Sequence, residues 1–277
     1  MVKRVAVVTG ANKGIGLAIV RNLCGNEFDG DVILTARDCD RGKAAVEALS
    51  GAGLNPIYHR LDITDAESVE ELTGYLRDNY SGVDVLVNSA AIAYGYGTQT
   101  AVGEQASRTM GTNFYGTRRL CRRLLPIMRP NGRLVNLTST YGVLTSITDD
   151  GLRRRFLAPD LSDEQLMALA DEYVTDAREG RHVAKGWPKS TYIASKVFVT
   201  ALTRVQQRQL DADGTDRRIV ANAVNPGVVP TDLNGHRGHR SPDEGADAAT
   251  YLALLPPHCD QPSGALVWWD RRVVDWA

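Results

Sequence analysis

Cysteine is scarce: Cys24, Cys39, Cys121 and Cys259 are the four in 277 residues. They lack the close spacing of a zinc site, so no metal is expected, and they are too few for a disulfide framework. Thiols used this sparingly fit a reducing compartment, where a buried one acts as a small hydrophobe, and the cytosol is the expected location. Charge of one sign is missing too. Lys and Arg number 32 against 33 Asp and Glu, a formal net charge of −1. That leaves no electrostatic reason to expect a nucleic acid or a membrane as partner. The one basic cluster, Arg153-Arg154-Arg155, reads as a solvated helix turn. Long apolar runs are absent as well: the opening Met1–Gly10 stretch is much too short for a signal peptide or a membrane span and reads as a first strand. No repeat, low-complexity tract or linker divides the chain. One domain is therefore expected, and 43% hydrophobic residues suffice for a sizeable core.

What the chain does have is rhythm. Short apolar runs at Val5–Thr9, Asp31–Ala36, Asn55–Leu61, Val83–Val87 and Gly132–Ser139 alternate with helical spacing over Gly14–Leu23, Arg41–Ser50, Ala66–Tyr80 and Thr109–Met128. Continuous apolar strands between amphipathic helices are the mark of a parallel sheet covered on both faces, and right-handed crossovers make it doubly wound, a Rossmann-type α/β fold. The rhythm breaks after Ser139. Ser162-Asp163-Glu164-Gln165 reads as a capping box, and Leu166, Leu169, Ala170 and Tyr173 give the following helix an apolar face up to Gly180. Pro188 closes this insert and a long helix runs from about Thr191 to Asp211. A sixth strand at Ile219–Val224, a helix at Pro242–Leu254 and a last strand at Gly264–Trp268 complete the series.

Between the first strand and first helix stands Thr9-Gly10-Ala11-Asn12-Lys13-Gly14-Ile15-Gly16. A strand that ends in glycines and opens a helix turns backbone amides and the helix dipole toward a pyrophosphate. The spacing, Gly-x-x-x-Gly-x-Gly, differs from the more familiar dinucleotide fingerprint, and a tight structural turn is the alternative. At the end of the second strand, where an NAD-selective site carries an acid, this chain has Arg37. Its planar cation can fork onto a 2′-phosphate, with Lys13 as a second charge, so NADP is preferred over NAD. Asp38, one step later, is expected to point away; an ordinary surface arginine is the other reading of Arg37. Asp62 can accept from an adenine amino group and Asn88 can tie a cofactor loop to the sheet, or each can simply cap a turn.

Tyr192 and Lys196 lie four residues apart at the start of the long helix and so share one face. A tyrosine with an ordinary pKa is a poor acid–base catalyst, and a neighbouring ammonium favours phenolate. Taken alone the pair is common by chance. Ser139, at the end of the fifth strand, can hold a substrate carbonyl beside Tyr192 or cap a turn. Asn113 is an amide inside an apolar helix, able to hold a water that links Lys196 to solvent or to sit as a satisfied core group.

Taken together and in order, the TGANKGIG loop, Asn88, Asn113, Ser139, Tyr192-x-x-x-Lys196 and Asn225-Pro226-Gly227 resemble the short-chain dehydrogenase/reductase family over essentially the whole chain. Leu34–Asp38, Asp84–Asn88, Thr112-Asn113-Phe114, Gly186-Trp187-Pro188 and Tyr251–Pro257 are similar to its carbonyl reductase branch. The resemblance implies NADPH-dependent reduction of ketones, aldehydes or quinones, with Tyr192 as proton donor, Ser139 as orienter, Lys196 as ribose binder and pKa modulator, and Asn113 as relay support. It implies NADP(H) contacts at Gly10, Asn12, Lys13, Gly14, Ile15, Gly16, Arg37, Asp62, Ile63, Asn88, Ala90, Tyr192, Lys196, Pro226, Gly227, Val229 and Thr231. Ser139, Tyr141, Tyr192, Val228 and Leu233 are expected to line a substrate pocket. Two other functions fit the same fold: an alcohol dehydrogenase acting on a steroid or retinoid, and a non-catalytic NADP(H)-sensing protein, against which the complete set of catalytic side chains argues.

The chain departs from the family at two places. Asn88-Ser89-Ala90-Ala91 stands for Asn-Asn-Ala-Gly, so retuned cofactor binding is expected. Val224-Asn225-Pro226-Gly227-Val228 lacks the cysteine and aromatic that flank this turn in the branch. Ser139 and Tyr192 stand 53 positions apart, wide for the family, which leaves a helical insertion at about 145–187. The branch carries a similar insert. An apolar helix there can cover the face that pairs subunits in many relatives, so a monomer is expected.

Overall fold

The computed structural model describes residues 3–25, 28–95 and 97–277; Met1 and Val2, at the head of the first apolar run, lie outside them. The first half follows the alternation closely. Strand β1 (Val5–Val8) leads to α1 (Gly14–Gly25), β2 (Asp31–Ala36) to α2 (Cys39–Gly51), β3 (Ile57–Arg60) to α3 (Ala66–Tyr80), and then to β4 (Val83–Asn88). Each start is chemically marked. Asp38 Oδ1 accepts from the amide of Arg41 at the head of α2, and Asp65 Oδ1 from that of Glu67 at the head of α3, both at 3.0 Å.

Among the described residues the strands form one eight-stranded sheet, in the order β3-β2-β1-β4-β5-β6-β7-β8. β5 is Met128–Leu137, β6 Val220–Asn225, β7 Leu266–Trp268 and β8 Val273–Val274. All neighbours are parallel except β7 and β8. The chain reverses its direction of travel across the sheet between β1 and β4, and there the carboxyl ends of the strands open a crevice. One face is covered by α1, α2 and α9 (Pro242–Ala253) over an aliphatic core. The other carries α3, α4 (Val102–Met110), α5 (Thr117–Leu124) and the long α8 (Thr191–Ala212).

Three features differ from the sequence reading. The helix expected over Thr109–Met128 is interrupted by a π turn at Gly111–Gly116, which glycines at both ends permit. β5 starts at Met128, with a register irregularity opposite Val83–Val85; Asn131, in the left-handed region at φ 62°, turns the chain there. The final strand is a hairpin rather than a single run, because β8 returns antiparallel to β7. Two residues flanked by Asp270, Arg271 and Arg272 carry no alternation that a sequence pattern can register.

The insert contains α6 (Asp150–Leu157), on which the arginine triplet lies, and α7 (Asp163–Arg178). The Ser162–Gln165 capping box forms as expected. α7 packs against α4 and α8. Its end is fixed by Asp176, a buried carboxylate that accepts from Arg181 Nε at 2.9 Å, Lys185 Nζ at 2.8 Å and Trp187 Nε1 at 3.0 Å.

Candidate active site

A cleft of about 650 Å³ opens where the strand order reverses. Its floor is the glycine loop. Gly10 adopts φ +61°, and a Cβ there would stand 2.7 Å from Ala90 Cα, so no other residue fits between β1 and the loop after β4. That second loop is held by Thr9, whose Oγ1 accepts from the amides of Ser89 and Ala90 at 3.0 Å each. Sequence reasoning missed Thr9; its only signal was a hydroxyl directly before the first glycine. Ala91, which replaces the family's glycine, has no left-handed backbone, so its methyl introduces no strain at φ.

Gly10, Asn12, Lys13, Gly14, Ile15 and Gly16 all face this cleft. At its far end lie Arg37, Asp62 and Ile63, joined by Arg41. Asp38 is turned to its capping role and pairs with Arg41 Nε at 3.3 Å. Arg37 is exposed and makes no side-chain hydrogen bond or ion pair among the described residues, which leaves its guanidinium available to an anion. Asp62 Oδ1 accepts from the amide and hydroxyl of Thr64. Burial works against its charge, but these hydrogen bonds and the nearby Arg37 and Arg60 hold its pKa below the usual carboxylate value. Lys13 is not a free second cation: its Nζ donates to Asp232 Oδ2 at 2.5 Å, and Asp232 also meets His236 Nε2 at 2.9 Å. Ala90, Pro226, Thr231 and Leu233 also border the cleft.

Five residues sit elsewhere than expected. Asn88 turns away into the sheet, where its Nδ2 donates to Asn136 Oδ1 at 2.8 Å and to Cys121 Sγ at 3.2 Å. It joins β4 to β5, while Thr9 ties down the loop. Gly227 packs under Arg240 and Trp269, and Val229 is buried against Gly245 of α9; neither lines the cleft. Tyr141 and Val228 do not line it either, being 57% and 45% exposed. Each lies on a tight turn whose inner side is taken by backbone, so the side chain is left outside. Ile92, Ala93, Thr112 and Thr138 line it instead, on loops and a helix whose side-chain directions no short pattern reveals.

The remaining groups converge at the carboxyl end of β5. Ser190 caps α8 by accepting from the amide of Ile193, so Tyr192 and Lys196 fall on the same side of its first turn. Lys196 Nζ is 5.5 Å from the centre of the Tyr192 ring and donates to the carbonyl of Leu137 at 2.7 Å. Burial lowers the lysine pKa to about 8. Burial also pushes the Tyr192 phenol up to about 12, while a hydrogen bond with Ser139 pulls the other way. The expected phenolate is thus not favoured: burial outweighs the pull of Ser139, and the tyrosine is held as a neutral acid. Asn113 sits in the π turn at 1% exposure. Its Oδ1 accepts from the amide of Ile92 at 2.8 Å, and its Nδ2 donates to Ile92 O at 3.0 Å and Ser195 Oγ at 2.9 Å. Both amide hydrogens are engaged by protein, so the side chain ties the β4 loop to α8.

Glycine loop, strand order and this tyrosine–lysine turn define a dinucleotide-dependent dehydrogenase architecture. A family model for short chain dehydrogenases matches residues 4–149, and the chain belongs to that family. It is 46% identical to carbonyl reductase (NADPH) 1 of Homo sapiens, over 98% of both chains. It is 47% identical to carbonyl reductase (NADPH) 3 of Mus musculus, over 99% of this chain and 98% of that one. Among solved structures, salutaridine reductase from Papaver somniferum superposes with a TM-score of 0.85 at 27% identity, covering 95% of this chain and 99% of its own. Among the described residues no helix is long and apolar enough to cross a membrane.

Proposed function

We propose that this chain is an NADPH-dependent carbonyl reductase that converts ketones, aldehydes or quinones to alcohols or hydroquinones. The observation that carries this reading is the meeting of Ser139, Tyr192 and Lys196 at the edge of a glycine-floored cleft with an unpaired arginine at its far end. The cradle fits the cofactor: Gly14 is open to the cleft, and Arg37 can take a 2′-phosphate. NADPH, when bound, supplies the hydride. Ser139 holds the carbonyl oxygen, and Tyr192, kept protonated by burial, gives that oxygen its proton. Lys196 remains mostly an ammonium at neutral pH with a pKa of about 8; it stabilises the phenolate left behind and can reach ribose hydroxyls. Asn113 holds the β4 loop and α8 at the spacing this requires.

Replacing Tyr192 by Phe removes the proton donor and leaves the cradle. The turnover number should fall by roughly 10²–10⁴-fold, with NADPH still bound, as judged by fluorescence titration. Near-normal reduction of a ketone by that variant would remove the mechanism.

The same reading takes the chain as one cytosolic domain acting as a monomer. Its support is α7, which lays Leu166, Leu169, Ala170 and Tyr173 over α4 and α8 and so covers the helix pair that a partner subunit would need. Four free cysteines fit a reducing compartment. Light scattering should return the mass of one chain; a stable tetramer would refute the covering role.

A further inference from the structure

Beyond the groups that face the cleft, one buried side chain reaches the Ser139 turn from far along the chain. Trp276, 3% exposed, donates from its indole Nε1 to the carbonyl of Gly142 at 2.9 Å. Its own carbonyl accepts from the amide of Leu144 at 2.8 Å. The segment after β8 therefore grips the loop after β5 at two points, two residues apart.

Gly142 is where this grip is transmitted. Its amide donates to Ser139 O at 2.9 Å, closing a turn over Ser139–Gly142. A Cβ on Gly142 would stand 2.1 Å from Thr138 Oγ1 and 3.2 Å from the carbonyl of Lys196. The turn is thus pressed directly onto α8 at Lys196 and Thr200. Thr138 Oγ1 in turn donates to Lys196 O at 3.0 Å. On one side of the turn lies Ser139, whose Oγ accepts from the amide of Tyr141 at 3.4 Å and which acts on the Tyr192 phenol against the effect of burial; on the other lies the Trp276 indole. The ring itself is wedged by Phe156 at 6.3 Å between centroids and by Arg204 at 5.3 Å, so it has little room to swing.

We propose that Trp276 is a positioning residue for carbonyl reduction, clamping the Ser139–Leu144 turn so that the Ser139 hydroxyl stays aimed at the Tyr192 phenol. The inference rests on the roles given to Ser139 and Tyr192 above. Trp276 touches neither substrate nor cofactor; it acts through Gly142. A hydroxyl that drifts by an ångström loses most of its value to the reaction, whereas the glycine loop and Arg37 are not connected to this clamp.

The test is a double-mutant cycle on the full-length protein. Trp276→Phe keeps an aromatic ring in the site while removing the N–H and part of the indole's volume. It should lower kcat for a ketone by about tenfold while leaving the KM for NADPH within about twofold. In a Ser139→Ala background the same substitution should change kcat by less than about twofold, because there is no hydroxyl left to misplace. Tyr173→Leu loosens the same aromatic core at rings other than Trp276; it should lower the melting temperature and spare kcat. Trp276→Tyr is a second variant without the indole N–H, should the phenylalanine fold poorly. Full additivity of Trp276→Phe with Ser139→Ala, an unchanged kcat, or an equal loss in Tyr173→Leu would overturn the proposal. A Ser139→Ala protein with undiminished turnover would instead overturn the role of Ser139 itself, and the clamp with it.

Discussion

The two faces of the sheet are built from different materials. Under α1 and α9 the buried residues are small and aliphatic, with Ala18, Ala246, Ala248, Ala249 and Ala253 among them and Phe28 the one buried ring among the described residues. Between α4, α8 and the insert the core is aromatic: Phe114, Phe156, Tyr173, Trp187, Phe198 and Trp276. Phe198 is its hub, with ring centroids 5.3 Å from Phe114, 5.2 Å from Phe156, 6.2 Å from Tyr173 and 6.0 Å from Trp187. The difference follows from what each face must do. The cofactor side needs backbones that approach one another, so that the glycine loop, the β4 loop and the start of α9 close around a phosphate. The insert side has a volume to fill, because two extra helices must seat on α8 without disturbing its first turn. Rings fill that volume, and edge-to-face contacts make the fit directional.

Truncating the hub tests this contrast most severely. Phe198→Ala should cost about 3–5 kcal/mol of unfolding free energy, whereas Ile19→Val on the opposite face should cost about 0.5–1.5 kcal/mol. Denaturant unfolding of both variants checks the ratio; equal losses would mean that the aromatic face is no more tightly keyed than the aliphatic one. A smaller effect sharpens the other side of the comparison. Arg37 is unpaired and exposed, so Arg37→Ala should leave stability unchanged and weaken NADPH binding roughly tenfold, with NADH little affected. A loss shared equally by both cofactors would show that the arginine does not read the 2′-phosphate.

The site divides along the same line. Its glycine loop and its tyrosine–lysine pair are each contained within eight residues of sequence, and both were legible there. The expected behaviour of Asn88, Tyr141 and Val228 was not met, since the direction of a side chain at a strand end or turn depends on what packs beside it. The tyrosine's ionisation was likewise misjudged: adjacency of a lysine can be counted along a helix, but the desolvation that raises the phenol's pKa cannot. Asn113 was recognised as an unusual amide, yet its partners, Ile92 and Ser195, lie 21 and 82 positions away.

By itself the sequence determined the order of the elements, the doubly wound sheet and the place of the glycine cradle, because apolar period, helix caps and glycine conformation are local and act within a few residues. Only the tertiary structure decided that Thr9 anchors the β4 loop, that Asp232 engages Lys13, that β8 closes the sheet as a hairpin and that Trp276 holds the Ser139 turn. Each of these joins groups through side-chain hydrogen bonds or short pairings whose energies are of the same size as many alternatives. Which one forms is settled when the aromatic core and the sheet have fixed the distances.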